Sequence, residues 1–131
     1  MFKNRLVGEY IDNGRAVLEA LRRKKIPITE AFWYDIPERD EWRLIIASPM
    51  VYRVGPIEAY TVLQGILNKM GSPLSLSDIS FLSPLSPEFR RFREEALGSS
   101  RSGKDSANEA DHDLTFNDAY LYALPRTVQG R

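Results

Sequence analysis

Residues Ile28 to Pro49 read ITEAFWYDIPERDEWRLIIASP. Two runs rich in β-branched and aromatic residues flank a polar connection, Asp35-Ile-Pro-Glu-Arg-Asp40. That is the sequence form of a β-hairpin with a longer loop. Both tryptophans, Trp33 and Trp42, fall on it. Leu44-Ile45-Ile46-Ala47 does not alternate. A strand that is apolar on both faces needs cover on both, which places it inside the sheet.

Upstream, Leu6 to Ile11 reads as a short strand or a packed arm. Asp12-Asn13-Gly14 reads as a turn into a helix, with Asp12 or Asn13 as cap. Ala16, Val17, Ala20 and Leu21 share one helical face, with Leu18 at its edge. The cations Arg22-Arg23-Lys24-Lys25 suit the helix C-terminus, and Pro27 stops it.

Downstream, Met50 to Val54 reads as a loop or ragged strand end. Gly55-Pro56 opens a second helix with proline at its first position and Glu58 in its first turn. Ala59, Val62, Leu63, Ile66, Leu67 and Met70 form its apolar stripe, and Gly71 caps its end. A short strand is expected around Ile79–Leu82. Ser86-Pro87 starts a third helix that buries Phe89, Phe92, Ala96 and Leu97 and stops at Gly98. From Gly98 to Asp113 alanine is the only apolar residue type, so the segment is expected to be mobile. Leu114 to Phe116 resumes apolar character, Asn117-Asp118 suits a turn, and Ala119 to Leu124 reads as a last strand ended by Pro125. The order of elements predicts a single α+β domain: one mainly antiparallel sheet built on the hairpin, with helices mainly on one face.

Composition narrows function by exclusion. The 131 residues suffice for a core without staples. With no cysteine there are no disulfides, thiolate nucleophiles or zinc–thiolate sites. Eighteen basic residues balance eighteen acidic ones, which argues against a strong field for nucleic acid or anionic membrane and eases self-association. The N-terminus lacks the apolar core of a signal peptide, and no apolar run approaches a membrane span. A cytoplasmic protein with no cofactor is the expectation.

Candidate chemistry is sparse. The lone His112 lies between Asp111 and Asp113 in the segment expected to be mobile, where nothing holds it for catalysis. Asp35 ends one hairpin strand and Glu41 begins the next. Glu41-Trp42-Arg43 has the outline of the E-x-K element of metal-dependent nucleases, with arginine in place of lysine. Ser48, Arg53 and Gly55 bracket a strand end and a helix start, an arrangement that attracts anions. Arg22 to Lys25 and Arg90, Arg91 and Arg93 are basic clusters, which read first as solvated helix faces. Trp33, Trp42, Tyr60, Tyr120 and Tyr122 are candidates for an interaction surface, with the strand from Tyr120 to Leu124 as the exposed sheet edge.

The pattern Gly14 … Leu18 … Leu21 … Ala31-Phe32-Trp33 … Trp42-Arg43-Leu44 … Ala47-Ser48-Pro49 … Gly55-Pro56 … Ala59-Tyr60, with the ending Asp118-Ala119-Tyr120-Leu121-Tyr122, resembles small uncharacterised bacterial proteins without an assigned activity. The resemblance spans most of the chain. It implies a bacterial cytosolic source and carries over no catalytic residue. The leading expectation is a non-enzymatic, self-associating interaction or accessory module. The alternatives are a metal-dependent nuclease or phosphohydrolase using Asp35 and Glu41, and nucleic-acid binding through the basic helix ends.

Overall fold

The computed structural model describes residues 8–39, 41–98, 112–116 and 118–124. Its elements are α1 (Gly8–Arg23), β1 (Glu30–Ile36), β2 (Glu41–Ala47), α2 (Pro49–Val54), α3 (Pro56–Met70), β3 (Ile79–Leu82), α4 (Pro87–Leu97), β4 (Leu114–Thr115) and β5 (Ala119–Leu121). A 3-10 turn, Leu76–Asp78, precedes β3. The hairpin is the centre of an α+β fold. The sheet order is β3-β2-β1-β5-β4, so β1 is the middle strand and β2 is also interior. Three pairings are antiparallel, and only β2 with β3 is parallel.

That parallel pair follows from what lies between its strands. A parallel neighbour needs a crossover, and here α2 and α3 supply it. β3 is an edge strand, and the Tyr60 hydroxyl from α3 accepts the Phe81 N–H at 2.8 Å. Arg43 on β2 holds the approach to β3: its guanidinium donates to Ser80 Oγ at 2.6 Å and to the carbonyls of Ser77 and Ile79.

Alternation along β1 divides the core into two clusters. Ala31 and Trp33 pack with Val17, Leu18 and Leu21 of α1, Val51 of α2 and Leu63 and Ile66 of α3. Phe32, Tyr34 and Ile36 pack with Phe89, Phe92, Ala96 and Leu97 of α4. Three helices therefore cover one face and α4 the other. α4 is tied down by Tyr34, whose hydroxyl donates to Glu95 at 3.0 Å, and by Arg93, which meets the buried Glu30 at 2.7 Å.

The structure corrects several readings near the ends of the chain. Gly8–Arg23 is helical, so Asp12-Asn13-Gly14 is helix and not a turn, and so is the described part, Gly8 to Ile11, of the stretch expected as a strand or arm. Gly14 is buried because Tyr122 passes over it: a Cβ there would overlap the Tyr122 hydroxyl and lie 3.1 Å from Trp33 Nε1. Ala16 is exposed and Leu18 is buried, the reverse of the expected emphasis. The helix is ended before Pro27, by a reversal at Lys25 with φ 63°. Lys25 N–H returns to the Arg22 carbonyl at 2.8 Å and Ile26 N–H to Leu21 at 3.0 Å. Ile26 and Leu21 are both buried, which completes a Schellman closure without glycine.

Met50 to Val54 is helical. Ser48 Oγ accepts the Met50 N–H at 3.1 Å, and Pro49 occupies the first position, where its missing donor is harmless. Gly71 takes the left-handed cap as expected, and α4 starts at Pro87 with Ser86 accepting from Phe89 N–H. β5 is not an edge: it lies between β1 and β4, and its ladder ends at Leu121. Of the segment expected to be mobile, residues 99–111 lie outside the described residues. Its far end, Asp113, is anchored, as shown below.

Candidate functional site

The described side chains form three distinct groupings. The first is a polar clasp where α1 crosses the C-terminal strands. Asp113 Oδ2 accepts from Arg15 at 2.7 Å and from the Tyr120 hydroxyl at 2.6 Å, while Oδ1 accepts from Ala123 N–H at 2.7 Å. The Arg15 guanidinium also lies over the Tyr122 ring, 5.3 Å from its centroid. Tyr122 is buried; its hydroxyl accepts from Trp33 Nε1 at 2.9 Å and donates to the Ile11 carbonyl at 2.7 Å.

The electrostatics of the clasp follow from these contacts. Burial alone would raise the Asp113 carboxyl, but the Ala123 N–H, Arg15 and Tyr120 hold it below its ordinary value. Tyr120 is raised, first by burial and then by Asp113, so it stays a hydrogen-bond donor. Burial likewise raises Tyr122. Among the described residues no buried side-chain oxygen or nitrogen of the clasp lacks a hydrogen-bond partner, so the clasp ties α1 to β4 and β5.

A lowered carboxyl stabilises the fold above its unfolded value and loses that contribution as pH falls through its folded value. Asp113→Asn is therefore expected to cost about 2 kcal/mol at pH 7, the scale of hydrogen bonds to a charged group. The gap from the unsubstituted chain should narrow below about pH 4, where the unfolded carboxyl begins to bind protons. Urea melts at pH 7 and pH 3 measure both; an equal gap at the two pH values would contradict this role.

The second grouping is an apolar elbow where α2 meets α3. Five large apolar residues are conspicuously exposed among the described ones: Tyr10, Tyr52, Val54, Ile57 and Leu85. Tyr52, Val54 and Ile57 surround the joint at Gly55, with Ile57 84% exposed. Beside them, Pro56, Ile57, Tyr60 and Leu76 line an open groove of about 520 Å³. Arg53 and Glu58, both exposed, stand on either side of the joint. The third grouping is another groove, of about 440 Å³, between the end of α1, α2 and the second half of α3.

The sequence candidates fall out differently from their expected grouping. Trp33 and Tyr122 are core, not surface, because each satisfies the other's polar atom inside the apolar cluster. Trp42, Tyr60 and Tyr120 are half-buried and packed against that same cluster. Asp35 pairs with Trp42 and Ile36 with Glu41, so alternation puts the Asp35 and Glu41 side chains on opposite faces of the sheet. Asp35 is buried, whereas Glu41 is exposed and faces Arg39 and Arg43 at 3.8 and 3.7 Å. Arg43, in the position of the nuclease lysine, is spent on β3. Among the described residues no cluster of three or more His, Asp or Glu side chains is placed to hold a metal.

Ser48 is buried and capping α2, while Arg53 lies in the last turn of that six-residue helix and Gly55 beyond it. Ser48 thus stands at one end of α2 and Arg53 and Gly55 at the other. The basic residues of α1 and α4 belong to helices on opposite faces of the sheet, and Arg93 is engaged by Glu30. His112 is exposed. No helix among the described residues is long and apolar enough to cross a membrane. The signal that points to the elbow is Ile57, which sits off the stripe from Ala59 to Met70 and so faces away from the core.

No protein-family model matches the chain, and no curated protein or solved structure matches it at a significant level.

Proposed function

We propose that this protein is a non-enzymatic interaction module that associates with a second copy of itself through the α2–α3 elbow. The observation that carries the reading is that three of the five large exposed apolar residues among the described ones, Tyr52, Val54 and Ile57, fall within six positions around Gly55. An exposed apolar group of this kind marks an association surface. A two-fold interface must be self-complementary, because the same patch meets itself. The elbow has that character. Arg53 and Glu58 flank Gly55, so a two-fold axis near the glycine sets the Arg53 of one copy against the Glu58 of the other. Zero net charge removes the global repulsion that would oppose such pairing.

Sedimentation velocity over a range of concentrations tests this. A reversible dimer is expected, and Ile57→Glu should make it monomeric while keeping the melting temperature of the unsubstituted chain at concentrations too low for the dimer. Arg53→Glu and Glu58→Arg should each weaken association at least tenfold, and the double reversal should restore it. A monomer at every concentration, or a dimer indifferent to Ile57→Glu, would remove the reading.

A further inference from the structure

The groove at the end of α1 is distinct from the elbow. The helical spacing of its α3 residues, Val62, Gly65, Ile66 and Lys69, puts it on the opposite flank of α3 from Ile57, Thr61 and Gln64. Its volume of about 440 Å³ falls within the range of small-molecule sites. Its wall is apolar, from Met50, Val62 and Ile66, and its rim carries Lys24 and Lys69. Neither lysine makes an ion pair with another described residue.

Gly65 is the decisive residue. It lies in the middle of α3, where glycine is disfavoured relative to alanine. At Gly14 the fold itself requires the missing side chain. At Gly65 a Cβ would meet nothing within 4 Å, so the chain's own packing does not require glycine there. The lysines have an ordinary role beside the negative ends of α1 and α3. That role explains the charges but not a bare stretch of helix backbone in the groove wall between them.

We infer that this groove binds a monoanionic amphiphile, a carboxylate with an apolar tail. The apolar body lies along Met50, Val62 and Ile66 and approaches the α3 backbone at Gly65. The carboxylate sits between Lys24 and Lys69. Two cations at the mouth of an apolar slot select one negative head over a neutral one, while burial of the apolar tail adds to the affinity.

Calorimetric titration of the full chain with decanoate, below its micelle concentration, tests this. One saturable site is expected, with decanol at least tenfold weaker. Gly65→Leu should abolish binding, and the pair Lys24→Gln and Lys69→Gln should weaken it at least tenfold. All three positions are exposed, and circular dichroism would verify that each variant keeps its fold. Absence of saturable binding, decanol equal to decanoate, or affinity indifferent to Gly65→Leu would each overturn the inference. Loss of self-association in Gly65→Leu without decanoate binding would overturn it in favour of a second copy as the occupant.

Discussion

Trp33→Ala is expected to cost about 3–5 kcal/mol, the range for truncating a large buried aromatic. Trp33 is 2% exposed and stacks on Tyr10 with ring centroids 5.7 Å apart. Its indole N–H is also the donor to the Tyr122 hydroxyl. The substitution removes the largest side chain of the α1–α3 cluster and leaves a buried hydroxyl short of a donor. Against a total stability of about 5–15 kcal/mol, a loss of about 3–5 kcal/mol takes a fifth or more of the fold. Urea unfolding followed by far-ultraviolet circular dichroism measures it. A cost under about 1 kcal/mol would mean that Trp33 does not organise this core.

Gly14→Ala should destabilise the protein by about 2 kcal/mol, against the usual rule for an interior helical glycine. Propensity alone favours alanine by about 1 kcal/mol. Here the new methyl group meets the Tyr122 hydroxyl and the Trp33 indole, and overpacking of this kind costs about 1–3 kcal/mol plus a disturbed hydrogen bond. A double-mutant cycle with Tyr122→Phe separates the causes, because it removes the atom closest to the methyl. The Gly14→Ala penalty should shrink by at least half in that background. An unchanged penalty would locate the conflict elsewhere.

What the sequence disclosed depended on the reach of each signal. The hairpin, α3 and α4 were legible because caps, periodicity and punctuation agree within a short window. Ile79–Leu82 was legible as a strand but not as a parallel partner of β2, since pairing direction depends on a crossover of two helices. α2 was hidden because a six-residue helix is too short to show a period. Asp12-Asn13-Gly14 looked like a turn because Gly14 answers a residue far along the chain, Tyr122.

The site candidates failed for the same reason. Asp35 and Glu41 are near in sequence, but one step of strand alternation sends them to different faces. Of the five aromatic candidates, Trp33 and Tyr122 are core residues, Tyr122 held there by Trp33 and Ile11. The residues that are exposed, Tyr52, Val54 and Ile57, carried a weaker cue. Asp113 lies at the end of a segment whose only apolar residue type is alanine, and only the three-dimensional meeting with Arg15 and Tyr120 reveals its use.

The position of β1 in the sheet has a kinetic meaning. Its pairing with β2 closes across a short turn, and β3 joins through the helices immediately after it. Its other side waits for β5, and the Trp33–Tyr122 bond that seals this contact spans 89 positions. The entropy of closing so long a segment must be spent before the contact returns anything, whereas the hairpin and its crossover form from neighbours. The middle strand is thus the first to find one neighbour and the last to find the other. Until β5 arrives, a row of unpaired amides and carbonyls stays open along the centre of the future sheet. The hydroxyl of Tyr122, reaching Trp33 and Ile11 together, is the latch that shuts this seam.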